Sequence, residues 1–404
     1  MSKSLPSKWK TCKFTDIAQI NPRRPSELSE FPADYPVTFV PMSCVSEKSG
    51  SIAEVIEKPL SEVKKGFTYF AENDVIFAKI TPCMQNGKSA IARNLKNGLG
   101  FGSTEFHVIR PTAEVFPEWL YYFVRQQSFL DEAKSHFRGS AGQQRVPSEF
   151  ISEHKIPLPP LVEQRHIICR IKECLSRVDE IKRLREDAQQ EAEAIFASAL
   201  SGYVSTDWPL KTLGSVAVEI RNGWSGKETI VGVRAKVLRL SSVHSRTIDP
   251  SESKQVVVSE SARQDFRVVK GDVFIVRGNG SKHLVGRSAM AAETYDDVIF
   301  SDLLIRVRFN SAALPKFVHY VLHSPSLRRQ IEEKAKTAAG IWKVNQTHLN
   351  GLEIPCPDIP QQTAFIEKVE QTADVCRQLL TEVNGKEVEL ISQAVLRKAF
   401  AGEL

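Results

Sequence analysis

Cysteine is scarce in this sequence, and long apolar runs are missing. Only seven of the 404 residues are cysteines, and no two of them form a C-x-x-C pair. This usage favours reduced, packing thiols in a cytosolic protein. No stretch approaches the ~18 consecutive apolar residues of a transmembrane helix. The polar start MSKSLPSKWK has no apolar segment behind it, so we expect no signal peptide. We therefore expect a cytoplasmic protein without a membrane partner.

Catalytic motifs are also missing. TPCMQNGKS ends like a phosphate-binding loop, but Pro82 occupies the place of the first glycine and removes a backbone N–H. VRGNGSK (Val276–Lys282) lacks the rest of a dinucleotide-binding motif, and NPRRP, beginning at Asn21, does not match the N-P-P-Y-like motif of amino-methyltransferases. No zinc-protease or serine-hydrolase motif is present. The histidines without nearby carboxylates or thiols, interpreted as surface or packing residues, are His107, His136, His166, His244 and His283. We expect a recognition module with no catalytic residue, metal or cofactor of its own.

Amino-acid composition constrains the class of protein less strongly than these missing motifs do. Hydrophobic residues make up 42% and charged residues 25% of the chain, as in ordinary soluble proteins. The net charge of +6 is compatible with a polyanionic partner but does not require one. The length predicts two or more domains, because one core rarely serves so long a chain.

An internal repeat indicates how the chain is organised into domains. IPLPPLVEQRHIICRI begins at Ile156, and IPCPDIPQQTAFIEKV begins 198 positions later at Ile354. The same shift aligns FPEWLYYF with LPKFVHYV and NDVIFAK with GDVFIVR, while GKSAIA and GRSAMA are one position out of register. Residues 21–66 and 222–267 hardly agree. The chain is thus interpreted as two diverged copies of one unit that recognise different targets.

Each copy begins as a mixed α/β domain and ends in a long helix. Short β-rich runs alternate with helical spacing over Glu118–Phe137 and over Lys316–Gly340, where Pro325 is expected to break or kink the helix. The prolines of each join hold the chain extended before the final helix. Trp9 and Trp208 are expected as core anchors, and Asp74 and Asp272 as turn residues at strand entries. The predicted segments are domain 1 (1–155), spacer helix 1 (156–202), domain 2 (203–353) and spacer helix 2 (354–404).

The two final helices carry apolar residues at alternating spacings of four and three, which is typical of a coiled coil. Because helix 1 leads from domain 1 to domain 2, a paired helix 2 must run back. The prediction is therefore an antiparallel coiled coil with internal pseudo-two-fold symmetry, interrupted at Asn384–Gly385. The alternative is two independent amphipathic helices that each pack on their own domain. The residues predicted to pair are Ile167, Ile171, Cys174, Val178, Ile181, Ile195, Phe365, Val369, Cys376, Leu379, Val383, Ile391 and Val395.

The two joins resemble those of a known family. PLPPLVEQ entering a long helix, repeated after a second α/β domain, is similar to the specificity subunits of type I restriction–modification systems. The resemblance covers nearly the whole chain, although Gln361 replaces the glutamate aligned with Glu163 and Pro360 stands opposite Val162. It implies two target-recognition domains that each read half of a split double-stranded DNA site. It also implies helices that set the spacing and dock two methyltransferase subunits, with a restriction/translocase subunit joining the complex. S-adenosylmethionine, ATP and magnesium would be bound by those partners.

Polar loops at matched places are the candidate DNA contacts, since Lys and Arg bind phosphates and Arg, Lys, Asn and Gln read bases. Solvated basic loops are the equal alternative for each residue taken singly. The candidates of the first copy are Lys79, Gln85, Asn86, Lys88, Arg138, Gln143, Gln144 and Arg145. Those of the second copy are Arg277, Asn279, Lys282, Arg287, Lys336, Lys343, Asn345 and Gln346.

Two other functions compete with DNA recognition. A self-contained DNA-modifying enzyme would need a glycine-rich cofactor motif or an acidic metal cluster, and neither is found in the sequence. A non-catalytic coiled-coil scaffold for other proteins would use the helices without binding DNA. Salt-dependent DNA affinity distinguishes this scaffold from the leading hypothesis.

Overall fold

The chain folds as two compact units, each with its own hydrophobic core. The computed structural model describes residues 5–47, 49–140, 143–244, 246–338, 340–381 and 385–404. Unit 1 comprises residues 1–184 and 384–404, and unit 2 comprises residues 185–383. Each unit therefore includes parts of both predicted helical segments, while the four-part division at 155, 202 and 353 stays a prediction. No helix in the described ranges combines the length and apolar character that crossing a membrane requires.

Unit 1 is mixed α/β, as predicted. Its strands are β1 (Lys10–Lys13), β2 (Ala18–Ile20), β3 (Pro36–Val40), β4 (Ile56–Pro59), β5 (Thr68–Ala71), β6 (Val75–Ala78), β7 (Ser89–Ile91), β8 (Leu99–Gly102), β9 (Phe106–Pro111) and β10 (Lys155–Leu158). Its helices up to the long one are α1 (Phe14–Ile17), α2 (Leu60–Val63), α3 (Pro117–Val124), α4 (Gln127–Ser135) and α5 (Ser148–Glu153). The long helix α6 (Leu161–Tyr203) follows β10, and its first part belongs to this unit.

Unit 2 repeats this order with additions, and with an isolated bridge between Arg267 and Ile299 in the place of β5. Its strands are β11 (Leu210–Thr212), β12 (Ala217–Asn222), β13 (Val233–Leu238), β14 (Val243–His244), β15 (Thr247–Ile248), β16 (Ser253–Val258), β17 (Val273–Val276), β18 (Gly278–Asn279), β19 (Ser288–Met290), β20 (Val298–Phe300), β21 (Leu304–Phe309), β22 (Lys336–Ala338), β23 (Ile341–Lys343) and β24 (Glu353–Pro355). Its helices after α6 are α7 (Leu213–Val216), α8 (Glu260–Asp265), α9 (Pro315–Leu322), α10 (Pro325–Lys334), α11 (Gln346–Asn350) and α12 (Ile359–Thr381). The last helix, α13 (Gly385–Phe400), returns to unit 1.

The sheets confirm the duplication. The order β2-β9-β6-β7 in unit 1 corresponds to β12-β21-β17-β19 in unit 2, which is extended there by β15 and β14. Val75 pairs with Ile109, and Val273, 198 positions later, pairs with Val307. The sequence-divergent middles share a fold as well, because the parallel pair β3·β8 recurs as β13·β20 at the same shift. Burial decides these strands, since every residue of VIFA in β6 and VFIV in β17 is buried.

The helices after Pro117 and Pro315 are shorter than predicted. The first breaks at Arg125–Gln126 into α3 and α4 without a proline, because Gln393 of α13 accepts from the first N–H of α4 at 2.9 Å. The second breaks before Pro325, which begins α10 beside the capping hydroxyl of Ser324. Its predicted end at Gly340 is wrong: α10 ends at Lys334, because the following segment pairs with β23.

The glutamine of each join fastens its helix to the α/β part. Gln164 is fully buried, donates to the carbonyl oxygens of Glu114 and Pro159, and accepts from the N–H of Phe116 at 3.1 Å. Gln362 repeats all three bonds with Ala312, Pro357 and Leu314, each 198 positions later. The repeated glutamine is thus explained: it satisfies buried backbone groups that have no partner in a helix or strand.

Trp9 and Trp208 pack as expected, and Trp9 is also hydrogen-bonded to its join. The indole Nε1 of Trp9 donates to Glu163 at 2.8 Å. Trp208 lies against Phe317 and Phe365. Gln361, which replaces the glutamate in the second copy, is exposed.

The long helices contact one another within each unit. In unit 1, Ile167 and Ile171 of α6 share a core with Leu396 and Phe400 of α13. In unit 2, the Sγ of Cys376 lies 3.7 Å from the carbonyl oxygen of Ala192. Further along α6, the Tyr203 hydroxyl lies 3.0 Å from the Oγ1 of Thr372, so α6 and α12 are antiparallel there.

The apolar seam drifts in register. Ile181, Ile195 and Ile391 are exposed, which differs from the predicted seam, and Phe196 and Leu200 are buried instead. A helix of 3.6 residues per turn rotates about 20° per heptad against a 3.5-residue repeat, so the buried face passes to the next residue. Buried members of the predicted seam are Ile167, Ile171, Val178, Phe365, Val369 and Cys376, and half-buried members are Cys174 and Val395. Val383 and Asn384 lie outside the described residues, as does the side chain of Leu379.

Candidate functional site

A cation follows the central strand of each unit at the same place. Lys79 comes directly after β6, and Arg277 comes directly after β17. The N–H of Lys79 donates to Glu105 and its carbonyl oxygen accepts from Val146, both at 2.9 Å. Arg277 makes the same two bonds, with Leu303 and Val344, also at 2.9 Å. The backbone frame is therefore duplicated, while the side chain it presents differs.

Two further cations face each other beside this frame. In unit 1 the backbones of Arg138 and Arg145 exchange hydrogen bonds of 3.0 and 2.9 Å. In unit 2, Lys336 pairs directly with Lys343 across β22 and β23. Like charges opposite one another on neighbouring strands destabilise a sheet. Their recurrence in both copies suits an anionic ligand, which would offset the repulsion between the paired cations.

The two cation pairs differ in whether a carboxylate neutralises one of their charges. Glu105 accepts from Nε and Nη2 of Arg145 at 2.8 Å each, and these hydrogen bonds lower the pKa of Glu105 from its usual value. The matching residue of unit 2 is Leu303, which is 45% exposed. Lys343 accordingly has no charged partner among the described residues.

A fourth cation lies next to each central strand. The carbonyl oxygens of Lys88 and Arg287 accept from Ala78 and Val276 at 2.9 and 2.8 Å. Lys88 donates to the carbonyl oxygen of Met42 at 3.2 Å and lies 3.6 Å from Glu47. Arg287 is exposed and has no ion-pair partner in the described part of unit 2.

The remaining predicted residues differ in exposure and in hydrogen bonding. Gln85 and Asn86 are exposed, as is Gln143, whereas the backbone of Gln144 bonds to Thr81. Lys282 lies over the ring of Trp342, 5.0 Å from its centroid. The side-chain oxygen of Asn279 accepts from Ser281, and that of Asn345 accepts from His348 as the N-cap of α11. Gln346 is the half-buried first residue of that helix.

Some residues at the unit 1 frame were missed from sequence. An open depression of about 530 Å³ is lined by Arg23, Arg24 and Lys79 together with Phe67 and Tyr69. The pair of arginines between prolines in NPRRP was the available signal. The missed residue of unit 2 is Trp342, an aromatic face next to Lys282.

Buried ion pairs and a histidine brace the frames. Asp74 binds Arg110 through two bonds of 2.8 and 2.7 Å, and Asp272 binds Arg308 through bonds of 2.6 and 3.1 Å. Each aspartate also accepts from a backbone N–H three residues earlier, which agrees with the predicted turn role. Burial lowers the pKa of His107, whose Nε2 lies 2.8 Å from the carbonyl oxygen of Val146. Each of these groups is held by a structural partner, so we assign it a structural role.

Known proteins are similar to this chain in sequence and in fold. A family model described as "Type I restriction modification DNA specificity domain" matches residues 6–194. The specificity subunit of the type I restriction enzyme EcoAI from Escherichia coli is 40% identical over 179 residues, which cover 44% of this chain and 30% of that subunit. The EcoEI specificity subunit from Escherichia coli is 25% identical, with 93% and 79% covered. The StySPI specificity subunit from Salmonella potsdam is 24% identical, with 99% and 90% covered.

Solved structures match along the whole chain. A chain from a type I R-M system, described for complex assembly and conformational transition, superposes with a TM-score of 0.72, covers 100% of both chains and is 22% identical. The HsdS subunit from Thermoanaerobacter tengcongensis gives 0.53 at 22% identity, with 100% of this chain and 99% of that chain covered. At these identities the structural likeness establishes the fold.

Proposed function

We propose that this chain, which is similar to the specificity subunits of type I restriction–modification systems, recognises DNA for such a system and that each unit reads one half of a bipartite site. The chain carries no catalytic site in this proposal. The observation that carries it is the duplicated frame: Lys79 and Arg277 are held by the same backbone bonds, next to the cation pairs Arg138/Arg145 and Lys336/Lys343. Cations on a fixed backbone suit the regularly spaced phosphates of a duplex.

The site is asymmetric in this proposal, since matched positions carry different side chains. Lys79 presents a point charge where Arg277 presents a planar guanidinium, which suits two acceptors on a guanine edge. Arg138 and Arg145 are likewise replaced by Lys336 and Lys343. Trp342 adds an aromatic face in unit 2, where the matching residue of unit 1 is Gln144. The two units therefore read different half-sites from one type of frame.

We assign the long helices the role of spacer and docking surface. They would set the distance between the half-sites and bind two methyltransferase subunits, with a restriction/translocase subunit in the larger complex. S-adenosylmethionine, ATP and magnesium would be held by those partners, and the complex would act in the cytoplasm. The exposed charged faces of α6, including Arg177 and Glu173, are available for such contacts.

Sequencing of N6-methyladenine tests the proposal. The chain is expressed with its modification subunits in a host without other methyltransferases, and we expect methylation in one split motif with an unread middle. Replacing residues 1–155 with the same segment of a relative should change one half of the motif and leave the other half unchanged. Methylation independent of this chain, or a change in both halves after the exchange, would contradict it.

A further inference from the structure

We propose that Glu105 competes with DNA phosphate for Arg145, so that the cation pair Arg138/Arg145 of unit 1 offers DNA one fewer free cation than the pair Lys336/Lys343 of unit 2. This inference rests on the proposed function and assigns a specificity-determining role to a carboxylate that sequence reasoning passed over. In unit 2 the corresponding position is Leu303, which leaves Lys343 available to an anion.

The ion pair is not needed to build the loop that carries Arg145. The backbone of Arg145 already bonds to Arg138 in both directions, and Val146 bonds to Lys79. Unit 2 forms the same arrangement through β22 and β23, with leucine where unit 1 has Glu105. A carboxylate that the duplicate fold omits without losing its hairpin has a role other than folding.

The geometry of the pair suits a competitor. The side chains of Arg145 and Glu105 are 43% and 24% exposed, so solvent and ions reach them. An ion pair so placed is weak, because water and salt screen it, and one phosphate contact can displace it. The carboxylate stays charged near neutral pH, because Arg145 lowers its pKa. When DNA takes Arg145, the released Glu105 faces a phosphate and repels it, so binding by unit 1 depends on favourable contacts elsewhere.

The cation pair of unit 2 has no competing carboxylate among the described residues. Lys336 and Lys343 oppose each other, and neither has a carboxylate partner among the described residues. Their repulsion raises the energy of the free protein, and an approaching phosphate relieves it. Of the two cation pairs, that of unit 2 therefore supplies the larger electrostatic share of binding, while unit 1 discriminates more strongly between DNA sequences.

The salt dependence of binding tests the inference, using the full chain assembled with its modification subunits. The probes are a random-sequence 40-base-pair duplex and a duplex with the methylated motif. Each phosphate contact contributes about 0.9 to the slope of log affinity against log salt. Glu105→Leu should steepen the slope by about 0.9, and Leu303→Glu should make it shallower by the same amount. Between 50 and 200 mM salt, each change corresponds to about 3.5-fold in affinity.

Matched variants isolate the mechanism. Glu105→Gln keeps the size of the side chain and removes its charge, so it should act like Glu105→Leu, and it serves if the leucine variant folds poorly. Glu62→Gln removes one charge from the i,i+4 pair with Lys58 and should leave the slope unchanged. Equal slopes for wild type, Glu105→Gln and Leu303→Glu would overturn the inference. If the wild-type complex showed no salt-dependent DNA binding, the proposed function itself would be overturned.

Discussion

Gln362 offers a direct measure of what fastens the second long helix to unit 2. Its side chain is fully buried and makes three hydrogen bonds, with the N–H of Leu314 and the carbonyl oxygens of Ala312 and Pro357. Gln362→Ala removes all three and leaves a buried N–H without an acceptor. At about 1 kcal/mol for each lost bond, the free energy of unfolding of unit 2 should fall by about 3 kcal/mol. For a unit of this size, this corresponds to a melting temperature lower by about 6–12 °C.

The neighbouring glutamine supplies the control. Gln361 is exposed on the same turn of α12, and its backbone N–H donates to the side chain of Asp358, a bond that Gln361→Ala leaves in place. Gln361→Ala should therefore change stability by less than about 0.5 kcal/mol. Both variants have the same composition, so differences in helix propensity cancel.

Thermal unfolding and hydrogen–deuterium exchange measure the effect. The amide of Leu314 should lose protection in Gln362→Ala and keep it in Gln361→Ala, because only the first variant removes its acceptor. Equal melting temperatures for the two variants, with Leu314 equally protected, would refute the reasoning. The join motif would then be unrelated to the attachment of the helix.

Two other predictions concern the interior of unit 2. Burial holds the pKa of His319 well below its usual value and lowers that of His323 to about 3, so both stay neutral in the folded state while the unfolded chain takes up protons below about pH 6.5. The free energy of unfolding should accordingly fall as the pH drops below 6.5, by about 1.4 kcal/mol for each pH unit and each of the two histidines. His319→Gln should flatten the pH profile of the melting temperature. A profile identical to that of the wild type would contradict this reasoning. Gly286→Ala places a Cβ 2.3 Å from Ile331 at a φ of +74°, and we expect a loss of about 2–5 kcal/mol in urea unfolding. Gly340→Ala, at a φ of +76° with open space, should cost only about 1–2 kcal/mol, and equal losses would exclude the clash as the cause.

The fold could be predicted where it depends on patterns along the chain. The join motif and its copy indicated two α/β units and long helices, and the sheets repeat at the expected shift of 198 residues. Helix ends were predicted less well, because contacts distant in sequence decide them. The break at Arg125–Gln126 depends on Gln393 of α13, and the end of α10 depends on pairing with β23.

The candidate site was predicted in the same uneven way. Lys79, Arg138 and Arg145 stood out as cations at matched places in the repeat, and the backbone brings them together. Arg23 and Arg24 were missed, because their sequence neighbours do not reveal that they line the same depression as Lys79. Asn345 was predicted to read bases, but its side chain caps α11.

The sequence by itself determined the duplication, the order of elements and the positions of the cations, because each is a property of residue type and spacing. Only the tertiary structure decided which cations are neutralised and which face of α6 is buried. Glu105 and Arg145 are 40 positions apart, and sheet pairing brings their charges to 2.8 Å. The buried face passes from Ile195 to Phe196, because small departures from the ideal repeat accumulate along a helix of 43 residues.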